Sequence, residues 1–214
     1  MGKQLRHLVA TCAVVAALGL GLAPPASAAG AATSKPPRGY RTLIVKEAGI
    51  SIAAPKSWVT FDPARKDSEA VVRKLRKQYP RLAETFLVQE RARAVLKEAV
   101  LYVGNPAGEK FHDNVSILNI RGVTEPPTED QIKDALGSLP DLETKPTTVA
   151  GVDAIEAAYQ NNVNISEGET LTTHLTQYAF LGKKGGVVIT FTGLEDGRRH
   201  STFQQMLGTV KLRR

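Results

Sequence analysis

Three histidines lie beyond residue 28 of this chain, His112, His174 and His200, and imidazole is the side chain best suited to acid–base or metal chemistry near neutral pH. Each falls in a different segment. A metal centre wants histidines paired at short spacing or three convergent ligands, and neither His-x-x-x-His nor His-x-His occurs, so no metal site is expected. His112 precedes Asp113 in a loop, where solvated polarity is a plainer reading than a general base. His174 lies on a strand-like run that places Tyr178 and Phe180 on its own face, because alternate strand residues share a face. His174 and Tyr178, with Trp58 on the edge of a groove, are therefore the candidate ligand-binding residues. The competing readings are a satisfied sheet histidine and a core tryptophan.

Covalent catalysis finds no foothold. There is no Gly-x-Ser-x-Gly elbow and no persuasive Ser-x-x-Lys, and the single cysteine, Cys12, is near the start of the chain. Asp141, Glu143, Glu167 and Glu169 show no spacing that singles out a glycosidase pair and read as solvated loop acids. Gly182 and Gly185-Gly186 lack the spacing of a phosphate-binding loop and lie between two strands, where a hairpin turn is the natural reading. No catalytic residue is assigned and no cofactor is expected. Asn114-Val115-Ser116 and Asn164-Ile165-Ser166 are sequons that matter only in a host that glycosylates them.

One compositional bias points to a partner surface. From Asp67 to about Val95 the apolar residues Val71, Leu75, Tyr79, Leu82 and Phe86 recur at helical spacing, with Arg73, Lys74, Arg76 and Lys77 between them. Pro80 divides the segment into two consecutive helices. The four basic residues form the candidate partner surface, against the alternative of a solvated outer face.

The elements that would position these residues are mostly strands. Arg41 to Lys46 and Ile50 to Ala53, split by Glu47-Ala48-Gly49, read as a hairpin, with Val59 to Phe61 as its short continuation. Ala99 to Val103 and Val115 to Arg121 read as strands. Thr128-Glu129-Asp130-Gln131 is a capping box opening a helix with Ile132, Ala135, Leu136 and Leu139 on one face. Thr147 to Val149, Ala154 to Asn161, Thr170 to Leu181 and Gly186 to Thr192 read as antiparallel strands, the last two joined by a tight turn at Gly182-Lys183-Lys184-Gly185. Ser201-Thr202-Phe203-Gln204 is a second capping-box pattern, with Phe203, Met206 and Leu207 packing the helix down and Gly208 at its end. Hairpins with inserted helices argue for one α+β domain over residues 40–214.

The first 28 residues read as a cleavable secretory signal. Lys3 and Arg6 precede an apolar run from Leu8 through Leu22, which ends at Pro24-Pro25 and Ala26-Ser27-Ala28. Cleavage is expected after Ala28, leaving no stable membrane span, and Cys12 sits too deep in the apolar run for acylation. A secreted or extracytoplasmic location follows, with residues 29–39 as a disordered lead-in. Removing the signal removes the only cysteine, so the mature chain forms no disulfide and is stabilised by its core. The loss of Lys3 and Arg6 lowers the net charge from +7 to +5. Without a run of like charges, nucleic-acid binding is not expected.

The order of "GISIAAPKSW", "VAGVDAIEAAY", "TQYAFLGKKGGVVITFTG" and a final "FQQMLGTVKL" resembles the PsbP-like fold. That fold is named for the extrinsic photosystem II protein and is shared by the mycobacterial LpqN-type lipoproteins. The chain is most similar to the secreted actinobacterial members of the group, over nearly all of Tyr40 to Leu212. The resemblance implies an α/β/α sandwich, an antiparallel sheet flanked by helices, and proteins that are mostly non-catalytic binding or assembly factors. The chain departs from the group in its longer helical pair and in having no lipidated cysteine. The expected function is that of a secreted, non-catalytic binding protein of the bacterial envelope or exterior. Its partner would be an envelope protein or an anionic envelope component. The alternative is a small-ligand carrier or enzyme with its site near His174 and Tyr178.

Overall fold

Short runs rich in valine, isoleucine, threonine and aromatic residues produce ten strands among the described residues of the computed structural model, which are 35–62, 68–80, 99–107, 111–166, 169–198 and 200–213. The expected signal segment with Cys12, most of the lead-in, the helix beyond Pro80 with Leu82 and Phe86, and Glu167 lie outside them.

Strands β1 (Tyr40–Val45) and β2 (Ile50–Pro55) form the expected hairpin and, with β10 (Lys211–Leu212), a three-stranded sheet of order β1-β2-β10. The next strand, β3 (Val59–Phe61), does not continue that hairpin. It pairs with β4 (Ala99–Gly104) at the start of a seven-stranded sheet. The sheet continues through β5 (Asn114–Ile120), β9 (Gly185–Gly193), β8 (Glu169–Gly182), β7 (Val152–Ser166) and β6 (Glu143–Val149), in the order β3-β4-β5-β9-β8-β7-β6. All its pairings are antiparallel. Pro146, which cannot donate to a ladder, lies on the edge strand β6.

Helices α1 (Ser68–Gln78), α2 (Glu129–Leu136) and α3 (Ser201–Leu207) complete the described elements. Thr128 caps α2: its hydroxyl accepts from the Gln131 N–H, and the Gln131 side chain accepts from the Thr128 N–H. The second capping box does not form. His200 takes the N-cap position of α3 without a side-chain bond, and Ser201 is already helical.

The two faces of the large sheet are covered differently. Leu118, Ile120, Ile155, Ala157, Tyr159, Leu175, Ala179 and Val188 pack beneath Val72 and Leu75 of α1 and Ile132 and Leu136 of α2. Val103, Val115, Ile117, Tyr178, Phe180, Ile189 and Phe191 pack instead against Ile50, Ile52 and Ala54 of the small sheet and Phe203 and Met206 of α3. The fold is α+β, as expected, and among the described residues two helices cover one face of the large sheet while a second sheet with a short helix covers the other. The physical cause is that β2 is apolar at nearly every position and needs a buried face on both sides.

Gly185 holds the β8–β9 turn in register. Its φ is +123°, and a Cβ there would lie 2.3 Å from the Ile120 carbonyl oxygen, so no other residue fits.

Candidate functional site

Strands β7 and β8 outrun their neighbours. The β6 pairing ends at Glu143–Ala158 and the β9 pairing ends at Gly193–His174, while β7 and β8 continue to pair with each other as far as Ser166–Glu169. The result is a two-stranded arm extending from the sheet. Its pairs Gln160–His174 and Asn162–Thr172 are polar on one face, and Thr172 Oγ1 donates to Asn162 Oδ1 at 3.0 Å.

A groove of about 270 Å³ lies at the base of the arm, lined by Asp141, Glu143, Ala158, Gln160, His174, Asp196 and Arg198, among others. Three chain segments meet there. Pro140 is tied to β7 by the Gln160 N–H, which donates to its carbonyl at 3.1 Å, and this brings Asp141 and Glu143 to the groove. The turn after β9 supplies Asp196 and Arg198. The Arg198 N–H donates to Asp196 Oδ1 at 2.9 Å, its Nη2 donates to Asp196 Oδ2 at 2.8 Å, and its Nη1 reaches Glu143 Oε2 at 2.5 Å. Hydrogen bonding from Arg198 holds the Asp196 carboxyl below its ordinary range, with the nearby His174 acting in the same direction, while Asp196 and Glu143 raise the Arg198 pKa. Three carboxylates and one guanidinium line the groove, so carboxylates are in excess there even with Arg198 in place.

Of the candidate ligand-binding residues, only His174 lines this groove. Tyr178 shares its face four residues further on but is buried in the core, where burial raises its pKa, assisted by the charge of the neighbouring Glu156. Trp58 does not form a groove edge. It packs edge-on to Phe203, with ring centroids 6.1 Å apart, and is a core residue.

The other candidates occupy separate places. Arg73, Lys74, Arg76 and Lys77 are all exposed on α1, as a partner surface or a solvated face requires. His112 is buried, which corrects the solvated-loop reading. Its Nδ1 lies 2.9 Å from the Asn105 carbonyl, and Nε2 has no partner among the described residues. His200 lies 3.4 Å from Asp113 and stacks on Phe203. Asn114 of the first sequon is buried, with its amide donating to the His112 carbonyl. Among the described residues, no three histidine, cysteine or carboxylate side chains converge as a metal-ligand set. No described helix is long and apolar enough to cross a membrane.

Sequence reasoning passed over Asp196 and Arg198 altogether and treated Asp141 and Glu143 as solvated loop acids. The only local cue was Asp196-Gly197, which is turn chemistry and carries no sign of the partner 55 residues away in sequence. No protein-family model matches this chain, and no curated protein matches it.

Proposed function

We propose that this chain is an exported, non-catalytic binding protein that engages a partner in the bacterial envelope or exterior through the β7–β8 arm and the groove at its base. The observation that carries this reading is the arm itself, two strands that continue beyond both neighbours and present backbone edges without a described strand against them. An isolated two-stranded ribbon is marginal in water, and a second surface against it would stabilise it. The resemblance to PsbP-like proteins supports the same class of function.

The groove supports acid–base catalysis less well. Arg198 already engages two of the three carboxylates, and Tyr178, which an enzyme site at His174 would draw on, is held neutral in the core. The exposed basic residues of α1 remain the competing partner surface. Hydrogen exchange in the presence of native envelope extract tests the reading. Protection is expected over 159–166 and 169–173. Protection confined to 68–80 would move the site to α1, and turnover of a defined substrate that depends on His174 would overturn the binding reading.

A further inference from the structure

The open edge of β7 has a defined polarity and a charged neighbour. The Gln160 N–H points toward the β6 side, where it meets the Pro140 carbonyl. Strand alternation puts the backbone N–H and C=O of Asn162 on that same side, beyond the end of β6, with no described strand to receive them. The edge therefore has backbone groups available for one more strand. It starts beside the groove, where Asp141, Glu143 and Asp196 outnumber Arg198. Arg198 shows that a guanidinium is accepted there by two carboxylates. Behind the groove, Thr176 is 1 % exposed and its hydroxyl has no partner among the described residues. It lies against Gly197, between Asp196 and Arg198, opposite the groove residue Ala158.

Resting on the function proposed above, we infer that the partner is an extended segment bearing lysine or arginine, which adds to the free edge of β7 at Asn162 and places a cationic side chain in the Asp141–Glu143–Asp196 groove. Backbone pairing supplies the affinity of such additions and the side-chain pocket supplies the choice of sequence. The charge of the groove selects a basic segment over an acidic or neutral one, and it favours encounter at low salt.

A short synthetic peptide alternating lysine with valine, capped at both ends, is the probe. The same sequence with glutamate and a backbone N-methylated copy are controls. The lysine peptide should bind the purified protein and protect 159–166 from exchange, and each control should bind at least about tenfold more weakly, as expected for loss of a charge-assisted contact or of ladder bonds. Asn162→Pro removes the outward N–H together with the side-chain bond from Thr172, whereas Asn162→Ala removes that side-chain bond alone, so the proline variant should bind more weakly than the alanine variant by a similar factor. Asp141→Asn with Glu143→Gln should weaken binding as much and flatten the salt dependence. Folding of each variant is checked by its thermal transition. Equal binding of the N-methylated peptide and indifference to Asn162→Pro would overturn strand addition. Arm protection by envelope extract without binding of the lysine peptide would overturn the basic segment and leave the proposed function standing. Protection that grows with protein concentration alone, with a dimer in sedimentation, would make the occupant a second copy and overturn the inference.

Discussion

Glu156 stands opposite Tyr178 across the β7–β8 pair, and both side chains are buried although each carries a group that water solvates well. Lys145, opposite Glu156 on the other side, reaches its carboxylate at 3.0 Å. The three strands thus carry a row from solvent-facing cation to buried anion to buried phenol. The row ends at Ile189 of β9, the residue opposite Tyr178 on its far side, where the apolar core takes over.

The phenol of Tyr178 resists ionisation, chiefly because it is buried and further because Glu156 is beside it. Its pKa in the folded protein lies above that of the unfolded chain, so its contribution to stability is fully present below the unfolded value of about 10 and is lost as pH rises beyond it. Urea unfolding should show the native protein losing stability between about pH 9 and 11 more steeply than Tyr178→Phe, which has no proton to release. Parallel curves would mean that Tyr178 ionises as an ordinary surface tyrosine.

Phe203 joins α3 to the core through three rings: Trp58 at 6.1 Å, Phe191 at 5.0 Å and His200 at 4.1 Å. Phe203→Ala should cost about 3–5 kcal/mol, and Phe203→Leu clearly less because it leaves a smaller cavity. Trp58 is the only tryptophan, so its emission reports the site directly. A red shift is expected in folded Phe203→Leu, and an unchanged spectrum would show that Trp58 does not depend on this contact.

What the sequence revealed was local. The Thr128 capping box and the Lys183-Lys184 turn are written in four adjacent residues each, and both form as read. The groove is assembled from Asp141–Glu143, Gln160 with His174, and Asp196–Arg198, and only the pairing of distant strands brings these together. The same holds for β3, whose choice of sheet depends on β4 and not on its own three residues. His200 shows that even a local pattern can fail. The Ser201 pattern is intact in sequence, yet the helix starts one residue earlier than the pattern places it, with the imidazole stacked on Phe203 at the cap position.

Packing also sets the rotation of α1. Val72 and Leu75 are buried, Val71 is only partly covered, and Tyr79, expected on the apolar stripe, lies just past the helix and is 36 % exposed. Leu75→Ala should cost about 2–5 kcal/mol, while Tyr79→Ala should cost less than about 1 kcal/mol. Alanine at Arg73, Lys74, Arg76 or Lys77 should change stability by no more than about 0.5 kcal/mol each. If this face binds an anionic envelope component, the quadruple change should abolish binding to anionic vesicles. Salt-independent binding that survives it would remove α1 as a partner surface.

Arg198 ties the turn after β9 to the start of β6, and the acid side of the stability curve should register it. Because Arg198 lowers the folded pKa of Asp196, the stabilisation is present above the unfolded aspartate value near 4 and is lost as pH falls through the lower folded value. Arg198 and Glu143 side chains are 35 % and 67 % exposed, so solvent screening limits the whole clamp to about 1 kcal/mol or less. Arg198→Met keeps most of the aliphatic stem and removes the charge. Chemical unfolding should place the native protein above this variant at pH 7 in low salt, with the gap narrowing in about 0.5 M salt and closing near pH 2. A gap of constant size across pH and salt would assign the role of Arg198 to packing of its stem, and the groove carboxylates would then stand uncompensated in the folded protein.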